Sequence, residues 1–337
     1  MKSQKSKNKS QKEIREKRIV VVPEQTERQR LDMFLAENGF GTRTYIQRLI
    51  DRGLVMVNGV VCSKSSYRVQ KDDEIRVDDV PEDKIITQEQ VVESNELLEK
   101  IRVIHEDTDY LVVEKPAGLI VHPTEAGEKV TLASWIVSHY PEVAKVGDSE
   151  VRPGIVHRLD KDASGLLVIA RTKKMFEHLK AQFKNRTVEK MYTVLVYGIP
   201  SHEHDTINFI IDRGKEGRMI ARPNTQMTLR NVNEDRSGKE ALTEFDVIQK
   251  FARYALLSVK IHTGRMHQIR VHMHAYNHPV VGDTLYEHKR NIKKNNPPLN
   301  RLFLHASKLC FSTLQNVWVC YECPLPEELV SYLQKLS

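Results

Sequence analysis

The apolar positions of this chain change period along its length. In RQRLDMFLAENG, Leu31, Met33, Phe34 and Leu35 recur at helical spacing and Gly39 closes the run. In TRTYIQRLIDRGLV, Tyr45, Ile46, Leu49 and Ile50 predict the inward face of a second helix, ended by Gly53. VMVNGVVC then reads as two short strands about an Asn58-Gly59 turn, the strongest short hairpin signal, and YRVQKDDEIRV follows. Two helices followed by small strands predict a self-contained module over residues 27–79.

Residues 80–100, VPEDKIITQEQVVESNELLEK, are acidic and weakly patterned, and read as a linker with one helical turn. From Ile101 onward strands dominate. IRVIHEDTDYLVVEKP predicts two strands about a polar turn, and TKKMFEHLKAQFKN a helix with Met175, Phe176, Leu179 and Phe183 on one side. MYTVLVYG, ALTEFDVIQKF and YALLSVKIHTG predict strands, RMHQIRVHMHAYN a short helix, and RLFLHASKLCF a further strand. Residues 201–239 are polar and read as a hairpin or a flexible insertion. Strands that follow strands directly point to an α+β domain over 101–337, its sheet mixed and largely antiparallel, rather than a doubly wound one.

Composition adds bounds. The 337 residues allow two domains. No apolar run reaches the length of a membrane span and no signal-like h-region opens the chain, so a soluble cytoplasmic protein is expected. Four cysteines, Cys62, Cys310, Cys320 and Cys323, are too scattered for a disulfide framework. Cys320 and Cys323 form a C-x-x-C without the second pair of a zinc site, which suits structural roles in a reducing compartment. The formal charge is +7, yet residues 1–18 hold eight Lys/Arg against Glu13 and Glu16, a net +6, leaving +1 for the rest. The basicity therefore sits in a tail, residues 1–26, that is expected to be disordered and either solubilises the chain or touches phosphate without specificity.

Local chemistry narrows the function. Without a G-x-x-x-x-G-K-[ST] or G-x-G-x-x-G pattern, nucleotide cofactors have no support. The histidines at 262, 267, 272, 274 and 278 invite a metal, but no complete ligand motif is present. Ser164, in DASGL, is not in a nucleophile elbow. On the second predicted helix Arg48 and Arg52 are four apart, with Arg43 just before it, which makes a mostly cationic face of the kind that meets phosphate. Asp160, in GIVHRLDKDASGLLVIAR, lies between Arg158 and Lys161. A carboxylate near a fixed arginine stays ionised and suits an anomeric carbon where positive charge develops. No second carboxylate presents itself as the acid of a glycosidase. The local sequence alone leaves open a plain turn aspartate.

Longer blocks decide between these readings. RPGIVHRLDKDASGLLVIAR resembles the signature of the RluA-type pseudouridine synthases, which isomerise uridine to pseudouridine in RNA. EKPAGLIVHP precedes it, and VEKMYTVLVYG, HTGRMHQIRVHMHAYNHPVVGDTLY, RLFLHASKLCF and CPLPEEL follow in the family's order. RLDMFLAENG, RLIDRGLVMVNG and DDEIRV resemble the S-four domain, a small RNA-binding fold. The resemblance implies that Asp160 is the catalytic aspartate, that Tyr192 stacks on the target base and can serve in removing the carbon-5 proton, and that Arg270 pairs with the aspartate. It also implies that Arg158 fills the stack when the uridine flips out. Ala163 departs from the family, which usually has a hydroxyl there. His157 and Lys115 fall in matched blocks and are given supporting roles.

The expectation is an RNA pseudouridine synthase that needs no cofactor or metal, acts as a monomer away from membranes, and modifies ribosomal RNA ahead of tRNA. Either an acylal-type adduct or a glycal would serve the first step. One rival is a non-catalytic RNA-binding protein that assists ribosome assembly. Another is a metal-dependent hydrolase built on the histidine-rich helix, which chelators would inactivate.

Overall fold

The computed structural model describes residues 16–26, 28–41, 43–79, 95–124, 128–214, 218–223, 238–287 and 299–336. The chain divides into two compact units, one comprising the residues up to Glu93 with Thr124–Glu128, the other Ser94–Pro123 and Lys129–Ser337. No helix among the described residues is long and apolar enough to cross a membrane.

In the first unit, α1 (Leu31–Glu37) and α2 (Arg43–Asp51) pack on strands β1 (Glu16–Val21), β2 (Val55–Val57), β3 (Val60–Val61) and β4 (Glu74–Asp79). The strand order is β1-β4-β2-β3, antiparallel throughout. Leu31, Phe34 and Leu35 from one helix and Ile46, Leu49 and Ile50 from the other are fully buried, as their spacing predicts. Asn58 and Gly59 both take positive φ, 51° and 79°, which a two-residue hairpin of this twist requires.

Residues 16–26, expected within the disordered tail, are ordered. Glu16–Val21 pairs along β4 and Glu24–Thr26 forms a short 3-10 turn. The reason is the run Ile19–Val22, four β-branched residues that a composition average over the tail conceals. Val22 is fully buried in the module's core. The remainder of the expected tail, residues 1–15, and residues 80–94 of the expected linker lie outside the described residues. Residues 95–99 are helical.

The second unit is built on a ten-stranded sheet. Its strands are β5 (Arg102–Glu106), β6 (Tyr110–Lys115), β7 (Ser164–Ala170), β8 (Glu189–Tyr197), β9 (His204–Arg213), β10 (Met219–Pro223), β11 (Lys239–Lys250), β12 (Tyr254–Ile261), β13 (Leu304–Ser312) and β14 (Trp318–Glu322). They run in the order β10-β9-β11-β12-β8-β13-β7-β6-β5, with β14 paired to β13. Among the described strands only β13 and β7 pair parallel, so the sheet is mixed and largely antiparallel. β6 and β7 are buried along their whole length. They share one core with α3 (Leu132–His139) and α4 (Lys173–Asn185). The side chains of Thr131 and Thr172 cap these two helices, each accepting a main-chain N–H of the first turn. Helix α5 (Gln268–Ala275) and the C-terminal α6 (Glu327–Gln334) complete the unit. The polar stretch 201–239 contains the hairpin β9–β10, and residues 215–217 and 224–237 within it lie outside the described residues.

One expectation is corrected here. Cys310 and Cys320, from a set read as too scattered for a disulfide framework, are directly opposed on β13 and β14 and form a disulfide. Their ten-residue separation says nothing about strand register, which only the folded hairpin supplies. Cys323, the other half of the C-x-x-C, is a buried free thiol.

Candidate active site

Strand pairing at the centre of the sheet assembles the site. Ala306 of β13 stands beside Gly165 of β7 and also opposite Tyr192 of β8. This close approach dictates the glycine: at φ 115° a Cβ on residue 165 would lie 2.3 Å from the Ala306 carbonyl oxygen. Asp160 sits in the turn that feeds β7, closed by an Ala163 N–H bond to the Asp160 carbonyl at 3.2 Å. The β7-β13-β8 register therefore carries Asp160 towards Tyr192, whose phenol is almost fully buried. Burial and the nearby Asp160 charge raise the Tyr192 pKa far above its ordinary value, so the phenol is neutral.

Arg270, in the first turn of α5, reaches the same point from the other side. Its Nη1 donates to Asp160 Oδ2 at 3.2 Å. Its Nε and Nη2 donate to the two oxygens of Asp283 at 2.7 and 2.9 Å, and its guanidinium lies over the Tyr286 ring. Asp283 is wholly buried, and its Oδ1 also accepts the N–H groups of Leu285 and Tyr286. Burial alone would lower the Arg270 pKa, but the two carboxylates more than offset it, so the cation is permanent.

Below the turn lies a second set of buried polar groups. Lys115, at the end of β6, is fully buried, and its Nζ donates to the carbonyls of Pro116, Leu119 and Lys161 at 2.8, 2.8 and 3.0 Å. Burial, with the Arg301 charge, brings its pKa down to about 7. Ser164 Oγ accepts from Arg301 Nη2 at 2.7 Å and is 2.9 Å from His305 Nδ1. Lys115 and Ser164 thus hold the turn around Asp160 by main chain and side chain, without themselves contacting its carboxylate.

The sequence matches the RNA pseudouridylate synthase family over residues 109–275 and the S4 domain over residues 29–75. An uncharacterised RNA pseudouridine synthase of Bacillus subtilis, YlyB, is 35 % identical over 94 % of this chain and 97 % of its own length. This chain belongs to the RNA pseudouridine synthases. A protein of Borreliella burgdorferi named ribosomal large subunit pseudouridine synthase D is 33 % identical over 95 % of this chain and 93 % of its own. Among solved structures, human RNA pseudouridylate synthase domain containing 1 is 27 % identical, with a TM-score of 0.52 over 68 % of this chain and 84 % of that one.

Of the residues singled out from sequence in this pseudouridine synthase, Asp160, Tyr192 and Arg270 converge. Arg158 is exposed two residues before Asp160, close enough for its charge to act on His267. Ala163 is fully buried in the apolar core, so no hydroxyl is available at that point of the turn. His157 is a packing residue: its Nε2 accepts the Val168 N–H at 3.0 Å and its ring stacks on Phe183. In the S4 unit, Arg43 is the first residue of α2 and its Nε bonds Asp32 at 2.8 Å. Asp32 is fully buried and also accepts from Arg30 and Gln47. Burial would raise its pKa, but these bonds bring it to about 2. Arg52 is exposed and Arg48 half-buried on the same helix.

The histidine-rich stretch is dispersed. His262 bonds Glu244, His274 and His267 bond Tyr286, His278 bonds the Tyr197 carbonyl, and His272 is buried edge-on to Phe209. Among the described residues, Glu114, His305 and Cys323 are the group close enough together to hold a metal ion. Arg102 already donates to Glu114 and approaches the Cys323 sulfur. Burial, first, and Glu114 push the Cys323 thiol up to about 12. A protonated thiol beside an arginine fits a cation of the chain better than a metal.

Sequence reading missed Asp283 and Arg301, and weighed His267 only as a metal ligand, whereas it lies beside Asp160. Asp283 was within a quoted block, and its signal was an acidic residue after a glycine with no basic neighbour in sequence. Gly282 (φ 76°) is needed there, since a Cβ would meet the Arg301 carbonyl oxygen at 1.9 Å.

Proposed function

We propose that this pseudouridine synthase acts on ribosomal RNA of the large subunit, with Asp160 at carbon-1′ of the target uridine. The observation that carries the site assignment is the Arg270–Asp160 bond, which fixes one carboxylate oxygen and leaves Oδ1 on the side of His267. In this reading carbon-1′ loses its bond to N1, whose electron pair leaves with uracil. Uracil turns in place against the neutral Tyr192 ring and rejoins through carbon-5. The carbon-5 proton is lost and N1 gains one, so the reaction is balanced without a co-reactant. In this reading Tyr192 also assists that proton's removal. Arg158, exposed on the same turn, takes the space of the flipped base.

The N-terminal unit, over residues 27–79 with β1, binds RNA through Arg43, Arg48 and Arg52, and the catalytic unit covers 101–337. Large-subunit RNA is favoured by the names of relatives from Borreliella burgdorferi and Haemophilus ducreyi. The chain acts as a single copy in the cytoplasm, and no step calls for a metal, so a chelator should leave activity unchanged.

The test is to map pseudouridines across total RNA with and without the protein, then with Asp160→Asn. A position in large-subunit RNA should vanish in both depleted and Asp160→Asn cells, while the variant still binds RNA. Full activity of Asp160→Asn would sink the assignment.

A further inference from the structure

The loop HTGRMHQ, residues 262–268, is more tightly built than a connection between a strand and a helix requires. Gln268 Oε1 accepts from the Thr263 hydroxyl at 2.6 Å and from the Arg265 N–H at 3.0 Å. Its Nε2 donates to the Leu242 carbonyl and the Thr243 hydroxyl, both at 3.0 Å. The loop ends on His267, which caps α5 in the left-handed region at φ 54°. A non-glycine residue there is held at a cost, and such positions cluster where a side chain must be presented in one orientation.

His267 is presented to the catalytic carboxylate. Its Nε2 lies 4.0 Å from Asp160 Oδ1, the oxygen that Arg270 leaves unbound, and both side chains stay partly open, 17 % and 18 % exposed. Its Nδ1 is 2.9 Å from the Tyr286 hydroxyl. Burial raises the Tyr286 pKa, so the phenol keeps its proton and donates it to Nδ1. With Nδ1 accepting, the ring proton resides on Nε2, on the side of Asp160. Burial, aided by Arg270 and working against Asp160, lowers the His267 pKa, so the ring is a neutral donor.

Geometry selects what this donor meets. A carboxylate oxygen in near-attack contact lies about 3–3.5 Å from carbon-1′. Uracil lies beyond that carbon, along the line of attack. The ribose 2′-oxygen, two bonds from carbon-1′, lies to the side. A donor 4.0 Å from Oδ1 is within reach of that side position. We propose that His267 donates its Nε2–H to the 2′-hydroxyl of the target uridine and is the residue by which the site requires ribose. The proposal rests on Asp160 acting at carbon-1′. The 2′-hydroxyl is the feature that separates RNA from DNA at a single nucleotide.

The test is a cycle between residue and substrate. Single-turnover rates are measured on an RNA carrying the mapped target as uridine or as 2′-deoxyuridine, with wild type, His267→Asn and Tyr286→Phe. Asparagine tolerates the left-handed backbone but is too short to reach, and phenylalanine keeps the ring while removing the hydroxyl that sets the tautomer. His267→Asn should cut the preference for uridine over 2′-deoxyuridine about three- to tenfold, the worth of one neutral hydrogen bond, with Tyr286→Phe moving it the same way. An equal slowing of both substrates, preference unchanged, would overturn the assignment to the 2′-hydroxyl. Wild type inactive on the uridine substrate would overturn the carbon-1′ reading, and this inference with it.

Discussion

Asp283 grips Arg270 at two nitrogens, Nε to Oδ2 at 2.7 Å and Nη2 to Oδ1 at 2.9 Å, and the remaining Nη1 is the one that reaches Asp160. The buried carboxylate, itself tied to two main-chain amides, sets the angle from which the guanidinium meets Asp160. With Asp160 as the proposed catalytic group, Asp283 is a positioning residue. Asp283→Asn keeps the shape but loses the charge and one acceptor, and should slow the chemical step roughly 10- to 100-fold, the worth of a charge-assisted bond. RNA affinity should hardly change. Single-turnover rates and filter binding on the same variant separate these outcomes, and a loss confined to binding would refute the role.

Gly165→Ala drives a methyl to within 2.3 Å of the Ala306 carbonyl at a backbone φ of 115°. The parallel β7–β13 pair cannot open without moving Asp160 relative to Tyr192. The expected loss of stability is at least about 2 kcal/mol, with activity lost even where the variant is folded. Urea unfolding and near-UV circular dichroism check it.

His272 is buried, and burial depresses its pKa to about 4. Between the ordinary value near 6.5 and that folded value, the unfolded chain takes up a proton that the folded one refuses. Its contribution is therefore full above pH 6.5 and is lost as pH falls, by roughly 2 kcal/mol at pH 5. His157, brought to about 3 by burial and Lys190, acts in the same direction. Urea midpoints at pH 7.5 and 5.0 should differ less for His272→Leu than for wild type.

If Arg48 and Arg52 meet phosphate, replacing either with alanine weakens binding to many RNA sequences alike. Each substitution should also reduce the slope of log affinity against log salt by about 0.7–1. Arg43→Ala should in addition destabilise the N-terminal unit, because its Nε holds the buried Asp32. Equal salt slopes for wild type and the Arg48 and Arg52 variants would remove these residues from the RNA surface.

Much of this was legible in the chain. The alternation in Leu257, Val259 and Ile261 returned as β12, and the helical spacing of Met175, Phe176 and Leu179 as the buried side of α4. Periodicity survives because burial on one face is a local rule. The disulfide was not legible, since it depends on a partner strand, β14, and the strand at 16–21 was lost by averaging its β-branched run with the basic residues before it. His157 and Lys115 read as supporting residues in sequence, and their surroundings show how: one is packed on Phe183 and the other is bound to three carbonyls.

The sequence by itself determined the class of protein and named Asp160, Tyr192 and Arg270, because ordered blocks carry residue identity. Tertiary structure decided how they are placed together. The Gly165–Ala306–Tyr192 register sets the first pair, Asp283 orients Arg270, and a strained loop turns His267 towards Asp160. Residues 110 positions apart, such as Asp160 and Arg270, become neighbours only when the sheet closes between them. Hydrogen-bond direction and charge at such a distance are properties of the packed fold, and no spacing in the chain encodes them.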